Sequence, residues 1–171
     1  MPNFLGFILV FLINFSAFAV DDHGGKILHG PFPAMLLDSS SIFFSETDDK
    51  NYPVYFLLRN DKDNSTEILD KYEVSGSLPT IETVFFYRIN KEKNIIVLVS
   101  WSVNSRGVGT YGVLYQIYAY KRVGKKIVAN FLIKKDSAAT GFDGYQDGRE
   151  VHFYLKNAEA IKKYIRSRFG G

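Results

Sequence analysis

From Pro53 onward the chain alternates between short apolar runs and turn residues. "PVYFLLR" ends in the polar break "NDKDNS", "TEILDKYEVSGS" runs to a Gly-Ser-Leu-Pro break, and "TIETVFFYRI" ends in "NKEKN". Then come "IIVLVSWSV", a glycine-rich connection, "VLYQIYAYKR", the turn "VGKK" and "IVANFLIKK". The runs are rich in Val, Ile, Phe and Tyr, and no helix-length amphipathic segment separates them. That pattern predicts an antiparallel sheet and argues against a doubly wound parallel fold.

The two-residue period of a strand assigns faces. Ile95, Val97, Val99, Trp101 and Val103 share one face of their run; the other carries Ile96 and Leu98, then changes to Ser100 and Ser102. A strand apolar on both faces at one end is expected to lie centrally, covered there by a helix or loop. In the next run Val113, Tyr115, Ile117 and Ala119 face away from Leu114, Gln116, Tyr118 and Tyr120. The expected cover is "KNAEAIKKYIRSRFGG": Asn157 is a good N-cap, and Ala158, Ile161, Ile165 and Phe169 recur at helical spacing. Before residue 53, "HGPFPAML" reads as extended and "SIFFSE" as an edge strand. The expected fold is an α+β single domain, mainly an antiparallel β-sheet of about six to seven strands, with a C-terminal helix packed on it.

The first nineteen residues contain no charged side chain; an apolar run from Phe4 to Ile13 precedes Ala17-Phe18-Ala19, a small-x-small pattern. We read residues 1–19 as a signal peptide cleaved after Ala19, with 20–171 as the mature domain; a short membrane anchor is the alternative. The remaining 152 residues suffice for one core without disulfides, and the chain has no cysteine. An exported, cysteine-free domain fits the bacterial periplasm better than an animal extracellular space. The net charge of +3 is too small to imply a nucleic-acid partner. Its distribution is uneven, however. Val20 to Gln116 holds 9 Lys/Arg against 13 Asp/Glu, whereas Ile117 onward holds 12 against 5. The basic C-terminal third is either a solvated face or a surface for an acidic partner or an anionic envelope.

Candidate chemistry is sparse. Gly107, Gly109 and Gly112 form a literal G-x-G-x-x-G, but another strand follows where a phosphate site needs a helix N-terminus, so a hairpin turn is expected. "TGFDGYQDGREV" places Asp143, Asp147 and Gly148 as in a calcium loop, yet Tyr145 and Tyr154 occupy two ligand positions, and Asp-Gly pairs commonly mark turns. Of the three histidines, His152 reads as a sheet residue, while His23 and His29 lack convergent partners. There is no nucleophile elbow and no marked acid/base couple. Neither a cofactor nor a metal is expected. Aromatic residues make up 16% of the chain, and most of them are expected in the sheet core. Tyr111, Tyr118, Tyr120 and Tyr145 lie in glycine loops or on the less apolar strand face and are the tyrosines expected to be exposed, where Tyr beside Arg and Asp favours protein contact.

"SWSVNSRGVGTYGVLYQIYAYKR" and "GFDGYQDGREVHFYLKNAEAIKKYI" together resemble small exported bacterial proteins that serve as immunity partners of envelope-attacking effectors, such as type VI secretion toxins. Trp101, Asn104, Gly107, Gly109, Thr110, Gly112 and Tyr115 carry the likeness in the first stretch. In the second, Asp143, Gly144, Gly148, Phe153, Lys156, Ala158 and Ile161 carry it. The resemblance covers Ser100 to Ile165 and implies a non-catalytic binder that occludes a toxin in the periplasm. The expected contact residues are Arg106, Tyr111, Asp143 and Tyr145. An envelope or glycan-binding module and an unrecognised periplasmic hydrolase remain the alternatives.

Overall fold

The computed structural model describes residues 25–170. The proposed signal peptide, its cleavage site and His23 lie outside them. The α+β class holds: the strands are mostly antiparallel and a helix closes the chain. The strands number ten among the described residues, and they form two sheets.

The first sheet is a meander of β1 (Ile27–Pro33), β2 (Ser40–Glu46), β3 (Val54–Asn60) and β4 (Thr66–Tyr72). The second contains β5 (Thr80–Ile89), β6 (Glu92–Ser105), β7 (Thr110–Val123), β8 (Lys126–Ala129), β9 (Thr140–Gln146) and β10 (Arg149–Val151). Its order is β10-β9-β7-β6-β5, with β8 on the same edge of β7 as β9 but farther along the strand. Between β8 and β9 lies a one-turn helix, α1 (Phe131–Lys134), and the chain closes with α2 (Ala158–Phe169). Among the described residues no helix is long and apolar enough to cross a membrane.

Two apolar layers result. Ile95, Val97, Val99 and Trp101 of β6 face the first sheet, meeting Ile42, Phe44, Phe56 and Tyr72. Ile96 and Leu98 face the opposite way, onto Ile161 and Ile165 of α2. The expected central position of β6 is therefore correct, and its second cover is a whole sheet. Asn157 caps α2 as its residue type predicts, its Oδ1 accepting the Ala160 N–H at 2.9 Å. Both helix isoleucines are fully buried, each contributing about 1.5–3 kcal/mol of transfer free energy.

Two expectations need correction. The "SIFFSE" run is β2, an interior strand between β1 and β3, with Phe43 and Phe44 buried on opposite faces. Tyr120 is buried and Tyr118 packs against the core, because the first sheet lies on the very face of β7 that was expected to meet solvent.

Candidate functional site

The helix α2 covers only part of its face of the second sheet. Where β6 changes from Leu98 to Ser100 and Ser102, the apolar layer stops. Beyond that border the same face carries Tyr111, Val113 and Tyr115 of β7 and Asp143 and Tyr145 of β9. The sequence signal for this boundary was the polar switch at Ser100.

Both glycine segments meet here. The β6–β7 connection is a tight turn, as expected: Arg106–Val108 forms one 3-10 turn and Gly109 closes it with φ 70°. The calcium-like segment is a β-hairpin instead, with Asp147 and Gly148 at φ 52° and 76° between β9 and β10. Two positive φ values in succession are the signature of a type I′ turn, for which Asp-Gly is favoured. The Gly148 N–H donates to the Gly109 carbonyl at 2.9 Å, and the Asp147 N–H donates to Thr110 Oγ1 at 3.1 Å. The turns are thereby tied tip to tip.

Three of the four expected contact residues come together. Tyr111 pairs with Tyr145 across β7 and β9, their rings stacked with centroids 4.9 Å apart and planes 16° from parallel. The Arg106 guanidinium lies 4.4 Å from the Tyr111 centroid. Arg106 comes from the β6–β7 turn and Tyr145 from β9, so the Tyr111 ring meets partners from two separate elements. Aromatic pairs of this kind contribute about 0.5–1.5 kcal/mol, and an exposed cation–π contact about 0.5–1 kcal/mol. The three side chains form a ladder in which strand pairing holds the two tyrosines and the tight β6–β7 turn presents Arg106.

Asp143, the fourth, stands two residues along β9 and joins a different cluster. Its Oδ2 accepts from Lys156 Nζ at 2.7 Å, and its Oδ1 accepts from the Phe153 N–H at 3.3 Å and lies 3.5 Å from His152 Nδ1. The Lys156 hydrogen bond holds the Asp143 carboxyl below its ordinary range and raises the lysine in turn. His152 lies one residue past β10, exposed, and is not a strand residue as expected. Tyr115 stacks on Phe153 at 5.7 Å; burial, then the Glu82 carboxylate, push its phenol upward. Glu82 bulges out of β5, where the register slips between Ile81 and Thr83, and accepts from Ser100 Oγ at 2.6 Å.

Sequence reasoning passed over Glu82 as a member of this face, and it used Lys156 only as a carrier of a resemblance. Tyr115 had been assigned to the correct strand face, but nothing local marked Glu82 or Lys156. The face offers stacked rings, phenol hydroxyls and paired charges, with Asp143 already neutralised by Lys156. Comparison of the chain with protein-family models, with curated proteins and with solved structures gives no match.

Proposed function

We propose that this protein is a non-catalytic inhibitor, an exported immunity protein that seats the Arg106–Tyr111–Tyr145 ladder on a secreted toxin or envelope hydrolase in the periplasm. The observation that carries this reading is the ladder itself. Arginine and tyrosine are the side chains that dominate protein interfaces, and these are ordered before any partner arrives. Pre-ordering lowers the entropic cost of association. The Asp143–Lys156 and Thr110–Asp147 contacts would form the polar rim around it.

One detail favours a protein over a glycan. Sugar stacking needs a free ring face, and Tyr111 already holds both the Tyr145 ring and the Arg106 guanidinium against its own. The Tyr111 hydroxyl is suited to hydrogen bonding with a partner surface.

The test is affinity capture of the tagged chain in its own host, followed by titration of the captured protein. A partner whose lytic or amidase-like activity disappears at one equivalent supports the reading. R106A/Y111A should then weaken the complex by more than ~1–2 kcal/mol. Capture of cell-wall material alone would transfer the ladder to a glycan-binding role. Full affinity in R106A/Y111A would remove the ladder from the interface.

A further inference from the structure

At the opposite end of the second sheet, the segment from Val123 to Lys135 combines protruding apolar side chains with unpaired cations. Phe131 is 63% exposed, Val123 55%, Leu132 43% and Val128 39%. Lys125, Lys126, Lys134 and Lys135 stand among them, all exposed, and no ion pair among the described residues takes them up. From Ile117 to Lys135 the sequence contains no acidic residue. The first one after it, Asp136, is turned inward at 4% side-chain exposure, engaged by Tyr164 and Arg168.

The segment is fixed in place. Asn130 Oδ1 accepts the Leu132 N–H at 3.0 Å while its Nδ2 donates to the buried Asn94 at 2.8 Å, and Ile133 is buried under α2. Strand pairing sets Val123 opposite Lys126 and Val128 opposite Lys121, so apolar and basic side chains share one face of the sheet edge. Over the Phe131 ring stand both Lys134 Nζ, at 5.9 Å, and Lys135 Nζ, at 5.6 Å. The group that would enter an apolar phase is thus flanked by charges that would remain in a headgroup layer.

We propose that this segment, the β8–α1 tip, docks on an anionic phospholipid surface, with Phe131 and Leu132 entering the interface and Lys125, Lys126, Lys134 and Lys135 meeting the lipid phosphates. Charge complementarity selects an anionic occupant. The mixed chemistry selects lipid over an acidic polypeptide: exposed Phe131 and Leu132 stand beside Lys134 and Lys135 and would find no apolar phase on a purely acidic chain. A bilayer surface needs only a few inserted side chains and a basic rim. The site is remote from the Arg106–Tyr111–Tyr145 ladder and stands independently of the inhibitor reading.

Because the chain has no cysteine, Leu132→Cys gives a single labelling position for an environment-sensitive fluorophore, and Ser105→Cys gives a matched control at the other end of the sheet. The full-length chain is mixed with vesicles of phosphatidylglycerol and phosphatidylcholine in equal parts, and with phosphatidylcholine alone. Expected is a blue shift with at least twofold greater emission at position 132 on the anionic vesicles only, unchanged emission at 105, and loss of the effect at high salt. K134Q/K135Q, checked for folding by near-ultraviolet circular dichroism, should reduce the response severalfold. An equal response on neutral vesicles, an equal response at position 105, or a K134Q/K135Q variant that responds in full would each overturn the proposal. So would a response to soluble polyglutamate with none to anionic vesicles, which would assign the lysines to an acidic polypeptide.

Discussion

Gly112 and Gly144 face each other directly across the β7–β9 pair, and a Cβ built on either would come within 2.9 Å of the other's Cα. Their φ values, 151° and 139°, lie in a region that other residues rarely adopt. This close approach brings the flanking Tyr111 and Tyr145 rings into stacking distance, so both glycines are structural parts of the candidate face. Gly112→Ala or Gly144→Ala is expected to destabilise the fold by about 1–3 kcal/mol, from strain and a clash together. Denaturant unfolding would measure it. Gly107, with nothing within 4 Å of an added Cβ and no positive φ, should tolerate alanine within about 0.5 kcal/mol.

Between the two sheets, Tyr120 donates its hydroxyl to Asp70 Oδ2 at 2.7 Å while lying 2.9 Å from the Tyr72 hydroxyl. A phenol has one proton, so Tyr72 is the donor to Tyr120. The direction creates an asymmetry between two chemically identical substitutions. Tyr72→Phe removes a donor and leaves the Tyr120–Asp70 bond intact, costing about 0.5–1.5 kcal/mol. Tyr120→Phe strips Tyr72 of its acceptor and Asp70 of its donor at once, costing about 1–3 kcal/mol. The double variant should cost less than the sum, since the two share one bond. A larger cost for Tyr72→Phe than for Tyr120→Phe would reverse the assigned direction.

The same pair predicts an alkaline limit. Burial holds both phenols neutral far above their ordinary value near 10, and their mutual contact leaves that direction unchanged. An acid whose folded pKa is raised adds stability that is complete below the unfolded pKa and is lost as pH climbs above it. The unfolding midpoint should therefore be level between pH 7 and 9 and fall steadily above pH 10. In Y72F/Y120F the fall should be shallower. A variant as steep as the wild type would transfer the effect to other groups.

How far the sequence reached depended on whether the deciding neighbour was local. β6 was placed centrally and α2 was assigned, cap included, because strand period, helical spacing and Asn157 are properties of a few consecutive residues. The Asp147-Gly148 turn was legible for the same reason. Tyr118 and Tyr120 were expected on an open face because their strand face is the less apolar one. Their cover is built from Phe44, Phe56 and Tyr72, roughly forty-five to seventy-five residues earlier, in strands that give weak patterns. Phe43 and Phe44 are buried on opposite sides of β2, which erases the alternation, and β1 carries two prolines. The candidate site divides in the same way. Its two glycine loops announced themselves, and the polar switch at Ser100 marked where the helix cover ends. The pairing of Tyr111 with Tyr145 is a matter of register between strands thirty residues apart, and the meeting of Asp143 with Lys156 depends on where the chain returns after β10. Neither leaves a local trace.

At the acid end Asp136 is the most enclosed of the carboxyls whose pKa is lowered. Burial of its carboxyl works against ionisation, but the Tyr164 hydroxyl, the Ala138 N–H and Arg168 outweigh it and hold the pKa below the ordinary 3.8. A carboxyl with a depressed folded pKa adds stability that is present above the unfolded value and lost as pH falls through the folded one. Stability should thus decline below about pH 4. Asp136→Asn should weaken the fold at pH 7, by about 1–3 kcal/mol, and flatten that acid limb. An unaltered acid limb would mean that the link from Asp136 to α2 contributes nothing to it.

The ladder makes its own prediction before any partner is found. Tyr111 is the shared member: its truncation removes both the stack with Tyr145 and the contact with Arg106, whereas truncating either neighbour removes one. Tyr111→Ala should therefore cost about 1–2.5 kcal/mol in unfolding experiments. Tyr145→Ala should cost about 0.5–1.5 kcal/mol, and Arg106→Ala at most about 1 kcal/mol. Arg106 and Tyr145 act on Tyr111 through separate contacts, so their single costs should add within about 0.5 kcal/mol in R106A/Y145A. Strong coupling between those two would mean that they touch each other instead, on one side of the ring. That geometry would free the second face of Tyr111 for stacking, and with it the case for a glycan ligand would become the better one.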